Sequence, residues 1–405
     1  MAEIVEQEGW RVRLRDRVPA EEVEAAYRAL LNEYRKRVKV PGFRPGRVPD
    51  RVLEARLGRE ALLAEVREDL VERRLPRLLE ETGVRAVAIR EVEGELELGR
   101  DFTYELELER YPEVKLPEWR SLKLELESPE ITDKDVEAAL QRLRERFAEV
   151  EAKEGPAEEG DVVIVVLEGG DELALALDRA HSLVREALLG KRAGEAVELP
   201  VSSAEGEPTG EVARGEVREV RAVRLPELDE EFAKTLGYAD LAEARAKVRE
   251  ELERQLAAEL LARKKEALLE HLAEGLEAAI PPTMIRDEEG RVWEEIADNL
   301  AVKGVPFEDY IKSLDEEKLE ELKAEVRKSA ERRVRRGLAL ERLVADLGVE
   351  LSDEERSAYL DAFAREHGVD PARMREALSE AALERILRQR LYDKALTQAV
   401  ELLRA

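Results

Sequence analysis

Over residues 10–16, apolar Trp10, Val12 and Leu14 alternate with Arg11, Arg13 and Arg15, the period-two pattern of a half-buried strand. From Pro19 the period changes. Val23, Ala26, Tyr27, Leu30, Leu31, Tyr34 and Val38 recur at steps of three and four, which predicts an amphipathic helix opened by Glu21 and Glu22 and stopped near Val40-Pro41. Helical spacing resumes beyond a loop, through Leu53, Leu57, Leu62, Leu63, Val66 and Leu70. Alternation returns in 94–98 and 102–109, and the Gly99-Arg100-Asp101 step between those two runs predicts a hairpin. Residues 1–112 therefore read as an α+β domain.

Residues 113–150 hold a proline-punctuated extended segment and then a helix, with Thr132 as its N-cap and Val136, Leu140, Leu143 and Phe147 as its stripe. A strand-rich module follows, from about 160 to 225, inside a domain bounded at 151–225. From 226 to 405 the pattern is almost wholly helical. Val248, Leu252, Leu256 and Leu260 fall at four-residue steps, and Val326, Ala330 and Val334 do the same. Pro281-Pro282, Gly304-Val305-Pro306, Gly348 and Gly368 divide this region into separate helices, and Ser352 with Glu355 forms a capping box. No repeat of constant length runs through the chain, which argues against a solenoid.

A length of 405 residues exceeds what one core organises, so the fold class is a mostly helical α+β protein of several domains. Charged residues at 40% with aromatics at only 4% fit long amphipathic helices better than a large sheet. The absence of cysteine excludes disulfides, thiolate zinc sites and cysteine nucleophiles. No basic segment leading into an apolar run opens the sequence, and no stretch of 18 uncharged apolar residues follows. The expectation is a soluble cytoplasmic protein with no membrane partner. Abundant Arg and Glu with few labile side chains is a composition that a thermophilic source favours.

The net charge of −27 would repel nucleic acid if it were spread evenly, but it is not. Residues 28–59 contain ten Lys or Arg against three Asp or Glu, a local excess of seven positive charges. Inside this stretch lies Pro41-Gly42-Phe43-Arg44-Pro45-Gly46-Arg47-Val48-Pro49. Two glycines and three prolines fix a non-helical loop between two helices, Phe43 offers an apolar or stacking anchor, and Arg44 offers a forked cation suited to phosphate. A stiff loop loses little conformational entropy when it docks, so the string is built to touch an anionic partner.

The same string resembles the signature loop of the trigger factor family, bacterial ribosome-associated chaperones whose pattern runs Gly-Phe-Arg, any residue, Gly, a basic residue and a nearby Pro. Gly42, Phe43, Arg44, Gly46, Arg47 and Pro49 stand at those places, with Pro45 between. Leu225-Pro226-Glu227-Leu228-Asp229-Glu230-Glu231-Phe232-Ala233 and Ile280-Pro281-Pro282 extend the resemblance along the chain. It implies that the loop binds the large ribosomal subunit beside the exit tunnel, touching rRNA and a ribosomal protein, with Arg35, Lys36, Arg37 and Lys39 as an electrostatic surround. Nascent and unfolded polypeptides are the implied substrates, a homodimer is an implied state of the free protein, and no cofactor, metal or catalytic residue is implied. The layout that goes with it is a ribosome-binding domain over 1–112, a discontinuous all-α chaperone domain whose first segment lies in 113–150 and whose second is 226–405, and an inserted FKBP-like domain over 151–225.

Family members carry peptidyl-prolyl isomerase activity, and residues 188–200 look like an FKBP strand entry. An FKBP pocket grips the prolyl ring with aromatic side chains, yet no Phe, Tyr or Trp occurs between Phe147 and Phe232. His181-Ser182-Leu183-Val184-Arg185 stands where an Ile-Pro-Gly-Phe-Glu-like stretch is typical, so the expectation is negligible isomerase activity. Gly190-Lys191 continues with Arg192 and is no phosphate loop, and His181, His271 and His367 are isolated, with His367-Gly368 reading as a helix end. Against the chaperone reading stand two others: a prolyl isomerase with accessory domains, and an RNA-binding or helical scaffold protein that uses the basic tip. Dispersed Leu, Val and Ala among charges suits weak, reversible binding of unfolded segments, but helix packing explains each stripe equally well, so no substrate-contact residue is singled out.

Overall fold

The computed structural model describes residues 3–403 except Val40, Gly42, 44–46, Glu125 and 203–207, and gives the backbone alone at 202 and 208–211. Its contacts divide the chain into two compact units, one made of 1–125 with 261–405 and the other of 126–260. The architecture is mostly helical, with two antiparallel sheets.

In the first unit, strands β1 (Glu3–Glu8), β2 (Arg11–Val18), β3 (Ala86–Glu93) and β4 (Phe102–Arg110) form a sheet in the order β1-β2-β4-β3. Helices α1 (Ala20–Arg37), α2 (Asp50–Leu57) and α3 (Arg59–Thr82) supply the apolar side chains that cover one face. The alternation read in β2 is real, since Val12, Leu14, Asp16 and Val18 are all buried. Asp16 is the surprise on that face. Burial would raise its pKa, but the Arg74 guanidinium at 2.6 Å, the Arg17 backbone and the Tyr104 hydroxyl at 3.1 Å hold it below the usual aspartate range. Tyr104 in turn stacks on Phe102 at 5.0 Å.

One reading of this region needs correction, and the structure adds two details to it. The strand that precedes β4 and pairs with it is β3, with Ile89 opposite Leu108 and Val92 opposite Leu106, and 94–98 is not a strand. Gly94 turns the chain away at φ 141°, where a Cβ would lie 2.8 Å from the Thr103 carbonyl oxygen. Leu96 and Leu98 then drop onto the core from a loop, so their alternation records burial without ladder pairing. The helical run through Leu53 and Leu70 is two helices, separated at Gly58, whose φ of 86° favours glycine. Strand β1 has no counterpart in the sequence reading, because all six of its residues are exposed at the sheet edge.

The rest of this unit is helical: the C-terminal part of α7 (Leu241–Glu274), α8 (Pro282–Val302), α9 (Phe307–Ser313), α10 (Glu316–Leu347), α11 (Asp353–Glu366), α12 (Pro371–Ala377) and α13 (Glu380–Leu402). The proline and glycine breaks fall where the sequence sets them, with Gly348 capping α10 in the left-handed conformation and Ser352 with Glu355 capping α11. Helix α10 buries Val326, Ala330 and Val334 and ties its neighbours with arginines. Arg336 forks onto Glu266 at 2.6 and 2.7 Å, Arg333 forks onto Glu295 at 2.7 Å, and Arg335 caps α7 through the Ala273 carbonyl at 2.7 Å. The extended segment after β4 joins this body: Lys115 and Glu277 exchange backbone hydrogen bonds at 3.0 Å, Trp119 is buried, and Tyr111 donates to Glu341 at 2.5 Å. No helix of the described residues is long and apolar enough to cross a membrane.

In the second unit, α4 (Asp133–Arg146), α6 (Glu230–Thr235) and the N-terminal part of α7 accompany a sheet of β5 (Glu149–Ala152), β6 (Val162–Leu167), β7 (Glu172–Ala176), β8 (Ala196–Ser202) and β9 (Pro208–Arg224), in the order β5-β9-β6-β7 with β8 also on β9. The strand-rich stretch thus starts at Glu149, earlier than its apolar runs suggest, because β5 is wholly exposed. Asp135 accepts from the Thr132 amide at 2.8 Å, closing the cap of α4, and Val136 and Leu140 pack with Val248. Phe147 ends α4 and is 45% exposed, meeting Phe232 edge to face at 6.0 Å.

Candidate functional site

The loop between α1 and α2 is anchored by apolar residues at both ends. Val38 packs against the N-terminal core and Val48 is 1% exposed within it. Two tyrosines of α1 brace the helices that follow. Tyr27 donates to Glu54 of α2 at 2.9 Å, its pKa pushed up to about 12 by burial and then by that carboxylate, and Tyr34 donates to Glu65 of α3 at 2.8 Å. Pro49 is the N-cap of α2, with φ −65° and ψ 150°, so the chain enters that helix in a conformation proline adopts without strain.

Of the sequence-predicted contacts, Gly42, Arg44, Pro45 and Gly46 lie outside the described residues. Phe43 is 41% exposed, an unusual state for a large aromatic side chain, and Arg47 is exposed beyond it. Lys36 and Lys39 are exposed, and among the described residues neither they nor Arg47 has a carboxylate within 4 Å. Arg37 is exposed but pairs with Glu33 one turn earlier at 2.8 Å. Arg35 is half-buried and turned inward: its Nε donates to the Val48 carbonyl at 3.1 Å, and its terminal nitrogens bond Asn32 and Asp50. Val48 and Asp50, which sequence reasoning passed over, are therefore part of how the loop is held.

This geometry presents an aromatic ring and several unpaired cations at one end of an α+β domain. Such a combination can stack on or insert against a partner while attracting phosphate.

The central sheet has a different chemistry. Its core is Val163, Val165, Leu177, Leu188, Val197, Leu199, Val217 and Val220, all aliphatic. A cavity of ≈ 590 Å³ opens at its end between Val166, Leu167, Gly194, Ala196, Gly215 and Val217, with Glu168, Glu216 and Arg218 at its sides. No aromatic side chain lines it. Residues 182–188 form a short helix, α5 (Ser182–Leu188), whose N-cap His181 accepts from the Leu183 amide at 3.4 Å. His367 caps α11 and stacks on Phe363 at 4.2 Å, a helix-end role.

Comparison with known proteins brings these parts together. The family model described as bacterial trigger factor protein (TF) matches residues 1–143, and the one described as bacterial trigger factor protein (TF) C-terminus matches 240–401. The trigger factor of Thermus thermophilus is 47% identical over 404 residues, covering 100% of both chains. That of Deinococcus radiodurans is 35% identical over 412 residues, covering 98% of this chain and 89% of its own. A solved structure, reported for promiscuous substrate recognition in the folding and assembly activities of the trigger factor chaperone, superposes with a TM-score of 0.67 at 26% identity and 99% coverage of each chain.

Proposed function

We propose, from the premise that this chain belongs to the bacterial trigger factor family, that it docks on the large ribosomal subunit beside the exit tunnel through its 42–49 loop and shields nascent polypeptides there without using nucleotide. One observation carries the docking: Phe43 is exposed within a few residues in sequence of Lys36, Lys39 and Arg47, exposed cations with no carboxylate beside them among the described residues, in a chain whose net charge is −27. The chain outside residues 28–59 is net acidic and on average repels rRNA, so the local cationic excess at this end favours one orientation of encounter. Residues 1–112 serve as the docking domain, 151–225 as the inserted module, and 113–150 with 226–405 as the two segments of the chaperone domain. The free protein works in the cytoplasm and can pair with a second copy.

Sedimentation with purified ribosomes tests this. Wild type should pellet with them, and replacing Phe43, Arg44 and Pro45 together by Ala should release it while suppression of aggregation by the free protein survives. Equal pelleting of the triple variant, or equal affinity for free RNA and intact ribosomes, would favour a general RNA-binding or scaffold protein instead.

A further inference from the structure

Arg35 belongs by position to the cations around the loop, yet its side chain serves the chain itself. Its three partners come from three places: Asn32 on the helix before the loop, the Val48 carbonyl at the loop's end, and Asp50 at the first position of α2. A planar, forked guanidinium can satisfy a carbonyl and a carboxylate at fixed angles at the same time, which a lysine ammonium on a flexible stem cannot. Asp50 compensates the charge of Arg35, whereas Lys36, Lys39 and Arg47 keep theirs for solvent or a partner.

We propose that Arg35 is a positioning residue for docking: it latches the exit of α1 to the entry of α2, so that the two ends of the loop reach the partner in set directions, and it makes no phosphate contact of its own. This role rests on the docking reading above and refines it. Val38 and Val48 hold the loop ends by apolar burial, which fixes depth but not direction. The guanidinium supplies the direction, because its bonds to Val48 and Asp50 set the angle at which the chain leaves the core. Without the latch the directions of the loop's ends must be fixed on the ribosome, and that cost weakens binding even though the same side chains touch the same surface.

The two roles predict opposite results when charge is altered. The full-length protein, titrated with ribosomes at several salt concentrations, is compared with Arg35→Ala, Arg35→Lys, Asp50→Asn and the double change Lys36→Ala with Lys39→Ala. The latch predicts that Arg35→Ala and Arg35→Lys both weaken binding about tenfold, the scale of a charge-assisted hydrogen bond, with the salt dependence unchanged. Asp50→Asn should also weaken binding, although it removes a negative charge beside the site. The double lysine variant should instead lower the slope of log affinity against log salt by about two. Wild-type binding by Arg35→Lys, tighter binding by Asp50→Asn, or a slope reduced by about one in Arg35→Ala would each overturn the latch and make Arg35 an ordinary phosphate contact. Amide exchange in β2 and β4 separates a loosened loop from an unfolded domain. Should Arg35→Ala unfold it, Asp50→Asn, which keeps every apolar contact, decides alone. Ribosomes that ignore wild type overturn the docking reading and the latch together, while wild-type binding shared by all Arg35 and Asp50 variants overturns the latch only.

Discussion

The chain contains two small antiparallel sheets, and their interiors follow different rules. The N-terminal sheet buries Phe102 stacked on Tyr104 and a carboxylate, Asp16, answered by Arg74 and the Tyr104 hydroxyl. The core of the central sheet is Val163, Val165, Leu177, Leu188, Val197, Leu199, Val217 and Val220, all aliphatic, and its buried carboxylate, Asp161, lies just before β6, where it accepts from Lys153 and from the Glu158 amide at 2.9 Å each. Aliphatic cores accept many arrangements of similar volume, whereas a satisfied polar network admits one geometry. The N-terminal network sits within a strand, on the buried face of its sheet, and includes an aromatic hydroxyl, whereas Asp161 lies outside the strand that follows it. The core of the central sheet contains no aromatic side chain.

The sharpest way to break this contrast is to remove the counter-ion. Arg74→Met leaves Asp16, 2% exposed, without its guanidinium. Breaking a buried pair from one side costs about 3 kcal/mol or more. Amide exchange should therefore accelerate across β2 and β4 and stay unchanged in β6 and β9. Uniform acceleration in both sheets would mean that the ionic network does not set the N-terminal domain apart.

Acid should produce a smaller effect at the same place, since a protonated carboxyl can still bond Arg74 and Tyr104 and no cavity opens. Asp16 is held below its ordinary range in the folded state, so its contribution is complete above the unfolded aspartate value of about 3.9 and is lost as pH falls through the lower folded value. Other carboxylates titrate there as well. The informative quantity is the stability gap between wild type and Asp16→Asn, measured by denaturant unfolding of the N-terminal sheet. That gap should be constant above about pH 5 and narrow below about pH 4. A gap that widens on acidification would show that the buried carboxyl is neutral in the native state.

The sequence disclosed whatever has a local signature. The period-two run at Val12 and Leu14, the helical stripe from Val23 to Val38, the Ser352–Glu355 cap and the proline and glycine breaks are each set by neighbours a few residues away, and each appears in the fold. What it hid depends on distant partners. Leu96 and Leu98 alternate like a strand but pack from a loop, because Gly94 turns the chain against Thr103. Arg35 looks like one more surface cation until Asp50, fifteen positions on, is seen beside it. Within the loop itself the motif was legible as a string, and the structure adds the exposure of Phe43 and the burial of Val48 on either side of the residues outside its description.

The last test expects no effect at all, in the central sheet. Prolyl isomerases of the FKBP kind desolvate and twist the imide against aromatic walls. Here the cavity walls are Val166, Leu167, Ala196, Val217 and two glycines, with Glu168, Glu216 and Arg218 beside them. The two aromatic residues that flank the module in sequence, Phe147 and Phe232, face one another at 6.0 Å and do not line the cavity. A cleft without aromatic walls can hold a prolyl ring by burial, but uniform binding of both isomers leaves the barrier where it was. A proline-containing tetrapeptide mixed with the full-length protein should relax at its uncatalysed rate, over roughly 10–100 s at 25 °C. Catalysis comparable with ordinary FKBP enzymes would mean that volume alone suffices to twist an imide, and the contrast between the two sheets would lose its chemical half.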